Sequence, residues 1–281
     1  MNQLFDRRLT PARPDLAAEK LRGLVKADRF VSGVRHRIFA PSTPLKREPY
    51  PDAAYETEAL AGETITIYDE TEGWAWGQLE TDGYVGWLSA LALGPLDPAP
   101  THRVISLRTF LYPGPSIKAE PLGALSLGAT VALTRVEGNF FATPAGFIFG
   151  GHLAPIRVFE KDYVAVAERF IGVPYLWGGK TSLGLDCSGL VQIAMAAAGV
   201  SAPRDSDMLA VQQGDLLPTE TSGLQRGDLI FWNGHVGIMQ DRVQLLHANG
   251  HHMMVVSEPL EEAISRILAN SYGAVTAIRR P

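Results

Sequence analysis

Residues Val173 to Val191 read V-P-Y-L-W-G-G-K-T-S-L-G-L-D-C-S-G-L-V and hold the only cysteine of the chain, Cys187. The apolar run Leu190 to Val200 scans as a helix, which puts Cys187 at a helix N-terminus. Unpaired amide N–H groups and the positive end of the macrodipole favour a thiolate there, by about 0.3–1 kcal/mol from the dipole alone. A lone cysteine is more often a small buried hydrophobe than a reactive group. Three features weigh against the inert reading. Asp186 and Ser188 flank the thiol with polar groups, Gly189 leaves the backbone open to approach, and Y-L-W-G-G (Tyr175 to Gly179) supplies a glycine-rich loop with two aromatics to wall a cleft.

A thiol nucleophile needs a base and a group to orient that base. H-V-G-I-M places His235 at the head of an apolar alternation, and V-Q-L-L-H-A places His247 at the end of the next, so both project near the rim of a sheet. A thiol of pKa about 8.5 is a few per cent ionised at neutral pH, so full ionisation gains about 2 kcal/mol at most. Positioning and oxyanion donors, at about 2.7–4 kcal/mol each, must supply more of the rate. The Cys187 backbone N–H and the Tyr175 hydroxyl are the candidate donors. His247 reads equally as a core histidine satisfied by a carbonyl. Asp228 in R-G-D-L-I-F-W reads as a turn residue before a strand, and His251 and His252 after Asn249-Gly250 as loop residues. A zinc site from Cys187, His235, His247 and His251 is conceivable, but no C-x-x-C pair supports it. The expectation is no metal and no cofactor.

Five blocks in one order carry a resemblance: Val173 to Val191, P-R-D-S-D-M (Pro203 to Met208), R-G-D-L-I-F-W (Arg226 to Trp232), H-V-G-I-M at His235 and L-H-A at His247. Together they resemble the NlpC family, bacterial papain-like cysteine peptidases that act on cell-wall peptides. The resemblance implies Cys187 as nucleophile, His235 as its base, His247 as the group that orients His235, and Tyr175 as a hydroxyl near the oxyanion.

Around this core the chain changes period. Glu160 to Ile171 reads as helical, and after the Cys187 helix come strands at Leu229 to Trp232, His235 to Gln240, Val243 to His247, Met253 to Ser257 and Ala274 to Arg279. Helices followed by an antiparallel sheet make an α+β domain over residues 156–281. Upstream, G-E-T-I-T-I (Gly62 to Ile67) recurs as G-A-T-V-A-L (Gly128 to Leu133), Glu72-Gly73-Trp74 as Glu137-Gly138-Asn139-Phe140, and Gly83-Tyr84-Val85 as Gly146-Phe147-Ile148. These are two small β-units, 31–95 and 96–155, on either side of P-L-D-P-A-P-T. Their strand-turn pattern resembles bacterial SH3-like β-barrels, which commonly precede NlpC-type domains. Residues 1–30 form an N-terminal helical segment, with Ala17, Leu21, Leu24 and Val25 on one stripe of a helix from Asp15 to Arg29.

Composition bounds the function. The 281 residues, 46% apolar and 20% charged, suffice for two or three small domains with buried cores. A net charge of -5 argues against nucleic-acid binding, which usually uses a basic face. The N-terminus shows no signal-peptide core or lipobox, no stretch approaches the roughly 20 apolar residues of a membrane span, and the lone thiol suits a reducing compartment. The expectation is a cytoplasmic protein with no membrane partner.

Within the family, this organisation resembles the γ-D-glutamyl-L-diamino acid endopeptidases that recycle murein tri- or tetrapeptides with a free N-terminal L-Ala. The resemblance implies Asp205 for the substrate ammonium, Ser206 beside it, and Asp186 and Ser188 lining the same end. It also implies a Tyr and a Glu from the first SH3-like domain, matched here by Tyr84 and Glu58, with Glu63 as an alternative to Glu58. The rival reading is an N-acetylmuramoyl-L-alanine amidase or wall endopeptidase acting on intact peptidoglycan. An acyltransferase of the same superfamily and a catalytically silent binding module are further rivals.

Overall fold

The computed structural model describes residues 5–281. It divides into two compact units, the first ending at Ile156 and the second running Arg157–Pro281. Residues 1–4 of the expected N-terminal helical segment lie outside the described part.

The first unit is built almost entirely of strands. Its larger sheet has seven antiparallel strands in the order Tyr55–Leu60, Ser42–Lys46, Val85–Ser89, Trp74–Leu79, Thr64–Thr71, Val34–Ile38 and Leu93–Gly94. Alternating residues Ile38, Leu45, Ile65, Ile67, Leu79 and Leu88 meet in its core. The second repeat forms three smaller sheets around Val104, Leu111, Leu125, Ile148 and Leu153. The repeated E-G and G-N dipeptides have a backbone cause. Thr64–Thr71 turns into Trp74–Leu79 through Glu72 and Gly73, both at positive φ, and Gly138 at φ +59 does the same between Arg135–Glu137 and Phe140–Thr143. Two-residue hairpin loops need that left-handed backbone. The two repeats touch at Gly62, where a Cβ would lie 2.3 Å from the Thr130 carbonyl oxygen.

The helix expected over Asp15–Arg29 does not form. Leu16–Ala18 is a strand paired in parallel with Arg29–Val31, with a single 3-10 turn at Glu19–Leu21 between them. Leu16, Ala17 and Ala18 are consecutive and all buried, which no helical face can achieve. Gly23 at φ +81 breaks the window, and Leu24 on the expected stripe is 62% exposed. Tertiary partners decide the outcome: Leu16 packs with Trp76, Val85 and Trp87, while the Arg13 guanidinium lies over both tryptophan rings and pairs with Asp69 at 2.5 Å.

The second unit holds helices α1 (Tyr163–Glu168), α2 (Cys187–Ala197), α3 (Ser206–Gln212) and α4 (Leu260–Asn270). Its sheet comprises β1 (Asp215–Leu217), β2 (Leu229–Trp232), β3 (His235–Met239), β4 (Gln244–Asn249), β5 (Met254–Pro259) and β6 (Ala277–Arg280). All pairs are antiparallel, in the order β1-β6-β2-β3-β4-β5. One face buries Ile230, Trp232, Met239, Leu245 and Ile278 against Leu260, Ala263 and Ile267 of α4. The alternate residues Leu229, Phe231, Val236, Ile238 and Leu246 are also fully buried, and α2 packs on β3 and β4. Asp228, read as a turn residue, accepts the Gln225 N–H and a bidentate pair of 2.7 Å bonds from Arg280, which ties β6 to the turn before β2.

If the N-terminal segment is a strand, Leu16→Ala removes a fully buried side chain and costs the first unit about 2–5 kcal/mol in urea denaturation. Leu24→Ala then changes stability by less than about 0.5 kcal/mol. Equal effects at the two positions contradict this packing.

Candidate active site

Strand parity brings the histidines together. Met239 pairs with Leu245, and Leu245 with Glu258, so His235, His247 and Glu258 share one face of β3, β4 and β5 and lie diagonally from strand to strand. His235 Nε2 is 2.8 Å from His247 Nδ1, and His247 Nε2 is 2.6 Å from Glu258 Oε1. Arg266, on α4, donates to the same Glu258 oxygen. The His235 ring is held between Trp232, with centroids 5.6 Å apart, and Tyr272, stacked at 5.3 Å with planes 10° apart.

This chain of contacts sets the tautomers. A carboxylate at 2.6 Å requires the proton on His247 Nε2. The Asn249 amide nitrogen lies 3.0 Å from that nitrogen and would ask it to accept instead, but the charge-assisted bond to Glu258 is stronger. His247 Nδ1 is then a lone pair that accepts from His235 Nε2–H, which leaves His235 Nδ1 free as a base. Burial lowers His235 well below its ordinary pKa, with His247 and Arg266 adding to the effect. Burial lowers His247 as well, against the opposing pull of Glu258. Glu258 stays ionised: burial pushes it up, but the His247 hydrogen bond and the Arg266 charge outweigh that.

Cys187 begins α2 and is buried. Its pKa is pushed up to about 12, first by burial and then by the Asp186 charge, with the Val236 N–H and Arg204 partly offsetting them. The helix N-terminus therefore does not yield a resting thiolate. Desolvation outweighs a dipole worth about 0.3–1 kcal/mol. The hydrogen bond from Val236 sets the thiol against β3, one residue from His235. Tyr175 is half-buried, and burial followed by the charge of Cys187 raises its hydroxyl, so it is a neutral donor within electrostatic reach of the sulfur.

The residues flanking the cysteine are occupied by structure. Asp186 caps α2 by accepting the Gly189 N–H at 2.7 Å, and it accepts the Gly178 N–H at 2.8 Å. Its two oxygens also hold Arg204, at 2.9 and 2.7 Å. Arg204, 1% exposed, further donates to Ser188 Oγ at 2.9 Å and the Gly179 carbonyl at 3.3 Å. The charge of Asp186 is thus balanced inside the protein, a use that its place beside the thiol did not reveal. Asp205 occupies the N-cap position of α3 without capping it through its side chain, and Ser206 is the first residue of that helix. His252 closes the loop after β4 by donating its N–H to Asn249 Oδ1 at 2.8 Å, in keeping with the loop reading of His251 and His252.

Tyr84 and Glu58 belong to the first unit. Tyr84 is in that unit's core, its hydroxyl 3.4 Å from Glu56 Oε2, and Glu58 is buried. Glu56 also pairs with Arg47 at 2.5 Å. Nothing in the sequence singles out Glu56, Arg204, Glu258 or Tyr272, because each is tied to its partner through the fold and not by local spacing. The helix that brings Arg266 does carry a signal, with Leu260, Ala263 and Ile267 at helical intervals.

A sheet-borne histidine pair set against a helix-borne thiol is the layout of a papain-like fold. Comparison with known proteins agrees. Residues 172–270 match the NlpC/P60 family and residues 45–93 the bacterial dipeptidyl-peptidase Sh3 domain. The chain therefore carries an NlpC/P60 domain behind an SH3 domain. It is 27% identical over 222 residues to a gamma-D-glutamyl-L-lysine dipeptidyl-peptidase of Bacillus subtilis, covering 70% of this chain and 73% of that one. It is 35% identical over 98 residues to dipeptidyl-peptidase 6 of Lysinibacillus sphaericus, 35% of each chain. A crystal structure of an NlpC/P60 family protein from Bacillus cereus superposes with a TM-score of 0.73 and 20% identity, over 88% of this chain and 99% of that one, which establishes the shared fold.

Two outcomes follow for stability. Arg204→Leu strands the buried Asp186 carboxylate and lowers the stability of the second unit by about 3–5 kcal/mol in urea. His235 and His247 are neutral when folded but take up protons near pH 6.5 when unfolded, so below that pH the unfolded chain binds more protons. Stability is whole above about pH 6.5 and falls below it by up to about 1.4 kcal/mol per pH unit for each histidine. His235→Asn makes that fall shallower; an unchanged pH dependence refutes the buried neutral pair.

Proposed function

We propose that the protein is a cysteine endopeptidase that hydrolyses the γ-D-Glu–L-diamino acid bond of short murein peptides with a free N-terminal L-Ala, acting in the cytoplasm in peptidoglycan recycling. The observation that carries this reading is the His235–His247–Glu258 series, which leaves His235 Nδ1 as a lone pair on the strand whose Val236 N–H bonds the Cys187 sulfur. The similarity to a gamma-D-glutamyl-L-lysine dipeptidyl-peptidase supports the choice of bond, and the SH3 domain of the dipeptidyl-peptidase kind supports a short peptide substrate. We read 31–95 and 96–155 as two SH3-like domains and 156–281 as the catalytic domain.

With a neutral thiol and a neutral imidazole at rest, proton transfer accompanies attack. Cys187 Sγ forms a bond to the γ-carbonyl carbon as its proton passes to His235 Nδ1. The carbonyl oxygen takes the negative charge and is met by the Cys187 N–H and the Tyr175 hydroxyl. As the tetrahedral species collapses, the C–N bond breaks and His235 returns the proton to the leaving amine. Water, deprotonated by the same base, then cleaves the thioester and regenerates the thiol. His247 orients His235 and stabilises its charged form through Glu258.

Asp205, with Ser206 beside it, takes the substrate ammonium. Asp186 and Ser188 shape the same end, held by Arg204.

Cys187→Ala removes hydrolysis of L-Ala-γ-D-Glu-L-Lys and leaves the fold intact; turnover above about a hundredth of wild type excludes the thiol as nucleophile. His235→Ala is nearly as severe, whereas His247→Ala and Glu258→Gln leave residual activity because His235 remains to take the proton. Iodoacetamide abolishes turnover and EDTA does not; activity lost to chelator and restored by zinc reverses the assignment of the histidines.

The free amine separates this reading from the amidase or wall-endopeptidase alternative. Acetylation removes the ammonium charge that Asp205 recognises in this reading, so N-acetyl-L-Ala-γ-D-Glu-L-Lys is cut about a hundredfold more slowly than the free peptide. Digestion of intact sacculi as readily as the tripeptide favours the alternative.

A further inference from the structure

A cavity of about 250 Å³ opens beside His235, between the end of β4 and the C-terminal end of α4. Its walls include Asn249, His251, Arg266, Asn270 and Tyr272. We infer that this cavity is the leaving-group subsite, and that Arg266 there takes the carboxylate of the amino acid released from the cleaved bond. The inference rests on the cysteine-peptidase reading above and extends it to the far side of the bond.

Three observations support the assignment. The first is position. A base that protonates the departing amine must lie beside the leaving group, so the space bordering His235, and not the end marked by Asp205, receives that part of the substrate. Tyr272, stacked on the His235 ring, forms a wall shared by base and cavity.

The second is charge. Arg266 is the one permanently charged residue among those lining the cavity, and no carboxylate is among them. Glu258, its ion-pair partner, is not part of the wall. A guanidinium carries five N–H donors in a plane. One nitrogen of Arg266 is engaged by Glu258, and the remaining donors match a carboxylate from the cavity side. The side chain is 19% exposed, so a bound anion meets a partly desolvated charge and not a surface one.

The third is size. At about 250 Å³ the cavity lies just below the range of pockets that hold drug-sized ligands, which fits a single amino-acid residue and not a glycan-linked strand. A terminal diamino acid presents its α-carboxylate here as the free acid. The same residue followed by further chain, or capped as an amide, presents no charge at that point.

The test compares L-Ala-γ-D-Glu-L-Lys with the same peptide ending in a carboxamide, using the full-length protein. The wild type is expected to cleave the free acid with kcat/KM about ten to a hundred times higher than the amide. Because Arg266 also holds Glu258, Arg266→Gln lowers both rates, but the ratio of the two isolates the contact to the leaving group and is expected to collapse to within about twofold. Dissociation constants of both peptides on Cys187→Ala give the same comparison without turnover and decide the matter if Arg266→Gln fails to fold. Equal cleavage and equal binding of acid and amide by the otherwise unchanged chain overturn the subsite while leaving the peptidase assignment in place. Failure to cleave either peptide removes the peptidase assignment, and the subsite with it.

Discussion

The ion pair of Asp186 and Arg204 is the constraint on which the site depends. Two opposite charges are buried beside Cys187, and such a pair is tolerated only where hydrogen bonds satisfy nearly every remaining lone pair and donor. Here they do. The carboxylate caps α2 through Gly189, holds the glycine loop through Gly178, and is shared with Ser188. Arg204 comes from the segment ahead of α3, so one interaction ties the aromatic loop, the start of α2 and the Asp205–Ser206 segment together. Replacing the pair with apolar side chains could preserve stability, but it would lose the directional bonds that fix the Cys187 backbone.

The second constraint is the antiparallel register of β3, β4 and β5. A slip of one residue would move His247 to the opposite face, away from His235. The diagonal of His235, His247 and Glu258 therefore exists because hydrophobic alternation on both faces holds the register. Glu258 gains its role from that geometry. It pins a proton on the far nitrogen of His247, and the polarity passes through two rings to His235 Nδ1.

What could be read from the chain follows the range of each interaction. The α2 helix, the strands around His235 and His247 and the position of Cys187 are legible because local periodicity carries them. The two strand-rich repeats are legible because hairpins at Glu72-Gly73 and Gly138 demand left-handed backbone, which leaves glycine at matching places. The N-terminal segment misleads for the complementary reason. Its weak helical stripe is overridden by Trp76 and Trp87, which lie some sixty residues further along the chain and bury Leu16–Ala18 as a strand. Arg204 lies inside the P-R-D-S-D-M block and Glu258, Arg266 and Tyr272 outside every quoted block, and only the fold gives each its partner.

Burial is the common cause behind the chemistry of the site, and it acts in two directions. Excluding water raises the Cys187 thiol and lowers His235, so burial favours the neutral form of both, and in the proposed mechanism the thiolate is generated as it is used. A site that merely buried these groups would be inert. In the proposed mechanism the same exclusion strengthens each fixed dipole near the charge that would form: the amide at the head of α2, the neutral hydroxyl of Tyr175, and the ionised Glu258 behind a histidine pair that would become cationic. Burial favours the neutral thiol in the ground state, so the stabilisation from those dipoles would appear only as charge separates. A preformed thiolate would be stabilised before substrate arrives and would leave less of that field to act on the transition state. On that proposal the raised thiol and the extended histidine–carboxylate series are two sides of one arrangement, in which Cys187 and His235 rest uncharged and the surrounding dipoles are set for the charges that attack would create.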